Sequence, residues 1–361
     1  IKRLILIAKI HFSTSKMYSK TFPLLSKGVY LNTAYVGLMS KGLVKFRANN
    51  EKDYLQKGED YKKNSYKTLE ETHITISRFF GVDLNNAFVV NNFSSGIRHV
   101  IRFLPKKLKV LLIENDYPSL ISAFEEEDFL VHKIPMLDLG LEDQIDDYIS
   151  KNQIDILALS IVQYSTGLLI DINFLKSLKL KYPNLILIGD GTQFLGAHKF
   201  SFDSSPFDVV AASGYKWLLA GFGNGVLMIS KRYLDLINKE ASVIRDIIFK
   251  GHFNILATAS LNFAIQSLEK QGFENLMNQK AILTEKVKNS LSEINQIGSW
   301  VLKRKHHSSI FILEGNKDLF KNLKKSKIHC VLRGKGIRIS FHYYNTEEDL
   351  FYLENVLKEN N

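Results

Sequence analysis

The chain has 361 residues, 45% of them hydrophobic and 24% charged, with only six prolines; that length exceeds what one core fills, and the composition excludes fibrous and disordered classes. No run of eighteen apolar residues occurs, which leaves no membrane span, and the single cysteine, Cys330, excludes a disulfide framework and a Cys-based zinc site and fits a reducing, cytoplasmic setting. The net charge of +11 comes from 48 basic against 37 acidic residues; Lys2, Arg3, Lys9, Lys16 and Lys20 gather much of it in one segment and the rest is dispersed, so no nucleic-acid partner is expected.

Residues 1–16 start with Ile rather than Met and are basic, hydroxylated and free of acids. They read either as a transit-like presequence or as a non-native extension ahead of Met17. The first strong helical stripe covers 61–80, with Leu69, Ile76 and Phe80 on one side. Short apolar runs then alternate with amphipathic stretches. Strands are expected at 88–91, 110–113, 130–134, 156–160, 185–190, 209–212 and 226–229, helices at 97–104, 120–127, 141–149 and 172–180, and a last helix of this block at 257–270. The alternation predicts an α/β fold: a mostly parallel seven-stranded sheet sandwiched by helices, in a large domain over 61–272.

Beyond it, a long amphipathic helix at 274–294 precedes strand-like pieces around Trp300 and at 310–313, 328–332 and 337–341. That is the pattern of a small α+β domain over 273–361. Basic runs at 303–305 and 321–327 read as its solvated faces.

Open parallel sheets bind ligands beyond the carboxyl ends of their strands, so chemistry is expected just past each strand. After 88–91, the turn Asn92-Phe93-Ser94-Ser95-Gly96-Ile97 opens a helix and offers N–H groups to an anion such as a phosphate. Alone it is equally an N-cap and a tight turn. Strand 185–190 ends in Gly189-Asp190-Gly191-Thr192-Gln193, where the carboxylate is either a helix N-cap or the partner of a protonated ring nitrogen. One strand further, Ser213-Gly214-Tyr215-Lys216-Trp217-Leu218 sets a lysine among aromatic and apolar neighbours. A desolvated lysine loses basicity and attacks carbonyls; the bland alternative is a lysine snorkelling from an aromatic patch. Its spacing from Asp190 favours the first.

These two segments, with Gly221-Phe222-Gly223-Asn224-Gly225 after them, resemble the cofactor region of the class V aminotransferases. Those are pyridoxal 5′-phosphate (PLP) enzymes of fold type I, a group that includes cysteine desulfurases, kynureninase and isopenicillin N epimerase-like proteins. The similarity runs from Tyr30-Leu31-Asn32-Thr33-Ala34 to Ile337-Arg338-Ile339-Ser340 and on to Asp349. It implies that Lys216 carries PLP as a Schiff base and shuttles protons, that Asp190 pairs with the pyridinium nitrogen, and that Gln193 bonds the phenolic oxygen. Ser95, Gly96 and Ile97 would cradle the phosphate, with Ser213 adding a hydroxyl. Tyr117 takes the ring-stacking position, Gln163 lies near the phenolic side, and Tyr164 faces the substrate. Arg338 matches the arginine that grips the substrate α-carboxylate, a task suited to a bidentate guanidinium. The segment 17–60, through Asn32, would form part of the substrate mouth, and the resemblance implies a homodimer. Two departures stand out: Arg98 replaces a small hydroxyl residue frequent in relatives, and Gly251-His252-Phe253-Asn254 replaces Gly-Thr-Pro-Asn, whose threonine reaches the phosphate across the dimer interface.

PLP makes the Cα of an amino acid acidic, and the protein decides which bond breaks. A cysteine desulfurase needs a mobile thiolate, whereas Cys330 falls in the strand-like stretch 328–332 and reads as a packing residue, so desulfuration is disfavoured. The expected activity is an aminotransferase moving an amino group from an amino acid to a 2-oxo acid. A kynureninase-like lyase or an epimerase would use the same lysine and aspartate. A non-enzymatic PLP-fold regulator or binding protein has no need of Lys216, Asp190, Gln193 and Arg338 together.

Overall fold

A computed structural model describes residues 16–334 and 336–360; both readings of the 1–16 extension fall outside it, save for the backbone of Lys16. The strands, in chain order, are β1 (Val29–Tyr30), β2 (Ala87–Val90), β3 (Lys109–Ile113), β4 (Leu130–Ile134), β5 (Ile156–Ser160), β6 (Ile186–Asp190), β7 (Val209–Ser213), β8 (Gly225–Ile229), β9 (Ile310–Leu313), β10 (Ile328–His329), β11 (Val331–Arg333) and β12 (Gly336–Ser340). Seven of them form one sheet in the order β2-β8-β7-β6-β5-β3-β4. All pairs are parallel except those made by β8, which runs against both of its neighbours.

Residues alternate between the two faces of each strand, and here both faces are apolar, as a sheet covered on both sides requires. Phe88, Val90, Val110, Leu112, Ile156 and Ile188 pack on one side under helices Phe93–Ile101, Pro118–Glu125 and Ala241–Ile248. Val89, Leu111, Ile113, Leu157, Leu187 and Val210 pack on the other, under helices Glu59–Phe80, Leu141–Asn152 and Ile255–Lys270. The chain order reverses between β3 and β5, which opens a crevice at their carboxyl ends.

The remaining strands make a three-stranded antiparallel sheet, β11-β12-β9, and a parallel pair, β1-β10. Helices Phe273–Glu293 and Glu347–Lys358 pack with them around a separate core that includes Val287, Phe311, Leu323, Ile339 and Leu353. The expected boundary at 272/273 falls on Gly272, which holds a left-handed φ of 77° ahead of the long helix.

Several elements differ from the sequence expectation, and three show why. The Trp300 stretch is a helical turn, Trp300–Lys303, closed by the Arg304 N–H on Trp300 O and braced by Trp300 stacked on His307; three large apolar residues in a row cannot separate strand from helix. The strand expected at 328–332 is broken at Cys330, because β10 pairs with β1 while β11 joins β12. Helix Lys41–Lys57 gave no sequence signal, since Leu43 is its one buried residue; Ser40 caps it, and Phe46 stacks on Phe263.

Candidate active site

The carboxyl ends of β5, β6 and β7 lie in register, with Ser160 opposite Asp190 and Asp190 opposite Ala211. Asp190 is the last residue of β6 and Ser213 the last of β7, and Lys216 follows three residues later. The lysine turn is tightly specified: a Cβ on Gly214 would sit 2.1 Å from Asn224 Oδ1, and one on Gly37 would sit 2.0 Å from Lys216 O. The segment from Asn32 to Gly37 therefore lies directly on the lysine turn, joined to it by the Gly37 N–H on Tyr215 O at 3.0 Å.

Lys216 is 8% exposed. Its Nζ lies 5.6 Å from the Tyr215 ring centroid and 5.9 Å from that of Tyr117. Burial lowers its pKa to about 8; the nearby Asp190 charge opposes this, and the Arg338 and Arg333 charges reinforce it. Asp190 is buried too, and desolvation raises it to about 6 despite the Thr192 N–H donated to Oδ1 at 2.8 Å. A second buried acid, Asp116, pushes the same way. The sequence reading missed Asp116, although it follows β3 directly. Its Oδ1 accepts the Tyr117 N–H at 2.7 Å and its Oδ2 the Ser160 N–H at 2.8 Å, tying the exit of β3 to the end of β5.

Helix Phe93–Ile101 begins four residues before the expected 97, because Asn92 caps it: the Asn92 side chain accepts the Ser95 N–H at 2.9 Å and its carbonyl accepts the Gly96 N–H at 3.1 Å. Gly96 and Ile97 thus belong to the helical ladder, and the first-turn amides are those of Phe93, Ser94 and Ser95. Ser213 Oγ accepts the Phe93 N–H at 3.0 Å, which sets that hydroxyl against the helix start. A Cβ on Gly96 would meet Val90 Cγ2 at 3.2 Å, a tight contact that Val90 would have to yield to. Arg98 turns away, its guanidinium bonded to Glu126, Ser119 and Ser122. His252 lines an open cleft beside this helix start with Asn92, Tyr215 and Phe222.

On the opposite wall, Arg338 is 2% exposed. Its Nη1 donates to Tyr164 O at 2.5 Å, while Nε and Nη2 are buried without a hydrogen-bond partner. Tyr164 packs edge-on to Tyr117, with ring centroids 5.7 Å apart. Arg333, which the sequence reading passed over, lies with its guanidinium carbon 5.6 Å from the Tyr164 ring centroid. Gln163 is a turn staple: Oε1 accepts from Ser165 and Thr166, and Nε2 donates to Asn115 O. Gln193 links the Ala34 carbonyl to the Trp217 indole N–H. Asn32 bridges to Ser340, and its buried Oδ1 lacks a partner. Cys330 lies in the small-sheet core, away from this cleft, with burial raising its thiol to about 11. Among the described residues no helix is long and apolar enough to cross a membrane.

A family model described as Aminotransferase class-V matches residues 40–353. An uncharacterized aminotransferase of Bacillus subtilis, YcbU, is 22% identical over 355 residues, 93% of this chain and 95% of its own. A probable cysteine desulfurase of Mycoplasma genitalium is 22% identical over 340 residues, 80% of each chain. Among solved structures, a lysine-to-alanine mutant of C-DES with glycine covalently linked to its PLP cofactor superposes with a TM-score of 0.83 at 16% identity, over 94% of this chain and 98% of that one. C-DES is described elsewhere as a cystine C–S lyase, in complex with its product cysteine persulfide.

Proposed function

Because this chain belongs to the class-V aminotransferase family, we propose that it is a PLP enzyme acting at the Cα of an amino acid, as an aminotransferase that passes the amino group to a 2-oxo acid. The observation that carries the reading is Lys216: a buried amine of lowered basicity, one strand from a buried carboxylate and facing an arginine with unpaired nitrogens. That set of groups fits a flat anionic aldehyde together with an amino-acid carboxylate.

When bound, PLP draws electrons from the substrate Cα and makes its proton acidic. Lys216 Nζ would hold the cofactor, and an amine of pKa about 8 is matched to taking a proton from the substrate Cα and returning one. Asp190 would pair with the ring nitrogen and keep it protonated, since a carboxylate raised by burial gains most from a cation beside it. The start of helix Phe93–Ile101 would hold the phosphate at its positive end through the Ser94 amide and the Ser213 hydroxyl, the Phe93 and Ser95 amides being given to Ser213 Oγ and Asn92 Oδ1. Tyr117, whose ring centroid lies 5.9 Å from Lys216 Nζ, would stack on the cofactor ring. Gln163 and Gln193 each retain a second amide hydrogen for the phenolic oxygen. Arg338 offers Nε and Nη2 as a fork to the α-carboxylate, and Asn32 and Tyr164 line the mouth. The site is completed in a homodimer, with His252 in the position from which relatives reach across the interface. Desulfuration through a thiolate is disfavoured by the burial of Cys330.

Protein incubated with PLP is expected to develop a visible absorbance band that borohydride abolishes and that Lys216→Ala lacks. A colourless wild-type protein overturns the reading. Transfer of labelled nitrogen to an added 2-oxo acid marks aminotransfer. Release of ammonia or sulfide marks a lyase, and solvent exchange at Cα without product marks an epimerase.

A further inference from the structure

Arg338 and Arg333 converge on one residue, Tyr164, from two sides: Arg338 bonds its carbonyl, and Arg333 lies against its ring. The strand register explains why. In the β11-β12 pair, Val331 is opposite Arg338 and Arg333 is opposite Gly336. Residues two apart on a strand share a face, so Arg333 and Arg338 are diagonal neighbours on the same face, within reach of a single ligand. Three of their nitrogens, Nε and Nη2 of Arg338 and Nε of Arg333, are buried without a hydrogen-bond partner. Arg333 and the tyrosines 164, 215 and 35 act on Arg338, both arginine charges act on Lys216, and among the described residues no carboxylate pairs with either arginine.

Two guanidiniums held this close with no acid between them repel each other and are partly stripped of water. One α-carboxylate satisfies the free edge of Arg338 and leaves Arg333 unmatched. We infer that the substrate is an amino acid carrying a second acidic group, its α-carboxylate on Arg338 and its distal acid on Arg333. This inference rests on the PLP reading and adds the substrate class to it. Arg333 is then the specificity residue, and Tyr164 is the wedge that keeps the two anion sites apart.

The test is calorimetric binding to the PLP-loaded protein of unreactive probes: succinate, glutarate and 3-phosphonopropionate against butyrate. At least one diacid is expected to bind about tenfold or more tightly than butyrate, the worth of one charge-assisted pair. Whether a carboxylate or a phosphonate wins identifies the distal group. Arg333→Gln should erase the preference while leaving butyrate within about twofold, Arg333→Lys should restore part of it, and Arg338→Gln should weaken both classes. Equal binding of diacids and butyrate by the wild type overturns the inference. So does a loss in Arg333→Gln that is as large for butyrate as for the diacids, since Arg333 would then only support Arg338. A protein that develops no visible band with PLP fails at the functional reading itself; one that keeps the band but shows no diacid preference fails at this inference alone.

Discussion

Burial at the end of β7 strips the Lys216 amine of water, and Asp190 compensates only in part. The folded pKa of about 8 lies below the ordinary lysine value of 10.5. Below the folded value both states are protonated, and the buried charge destabilises the apo protein in full. Between the two values the unfolded chain holds the extra proton, so stability rises with pH; above the upper value the penalty is gone. Lys216→Met is therefore expected to stabilise the apo protein at neutral pH, by on the order of 1–3 kcal/mol. The gain should shrink as pH climbs through this window, measured by urea denaturation at a series of pH values. A gain that is constant with pH would show that the charge is not its cause. Lys216 and Asp190 were legible in the sequence because each sits next to a strand end. Arg333 was not, because its meaning depends on a cross-strand neighbour.

At the scale of elements, turns decide where those side chains end up. Gly167 follows β5 with φ 80°, and a Cβ there would lie 2.1 Å from Ile310 O of β9. Gly140 has nearly the same φ, 77°, with nothing within 4 Å. Gly140→Ala should thus cost about 1–2 kcal/mol for left-handed backbone alone. Gly167→Ala should cost at least about 2 kcal/mol more from the collision. Equal losses in chemical denaturation would refute the close approach of this turn to the small sheet. The main strands could be read from the sequence because both faces of the large sheet are apolar. Helix Lys41–Lys57 could not, because it buries only Leu43 and is held by the Ser40 cap, Phe46 on Phe263, Tyr54 against Tyr61 and the Tyr61 hydroxyl on Asn50 rather than by a stripe.

For the whole molecule, the question is what holds the small sheet over the large one, since Arg338 and Lys216 come from opposite sides of that junction. Arg304 pairs with Glu142 across it, with both side chains largely buried, and also donates to the carbonyls of Leu169 and Asp138. Ser308 donates to Gly167 O, and a His342 ring nitrogen meets Trp217 O at 3.1 Å. Arg304→Ala leaves the Glu142 carboxylate buried without its cation and should cost about 3 kcal/mol. The double variant Arg304→Ala/Glu142→Gln should lose less than the single one, as read from urea midpoints at constant slope.

The sequence by itself determined the α/β class, the positions of the large-sheet strands along the chain and the family. Each of these rests on local periodicity or on short motifs, in which neighbours in sequence are neighbours in space. Tertiary structure decided the rest. The cap at Asn92 set the start of the helix at Phe93, four residues upstream, and the pairing of β10 with β1 split an apparent strand at Cys330. The β11-β12 register set Arg333 beside Arg338. Those outcomes depend on contacts between segments far apart in the chain, whose energies no local pattern encodes.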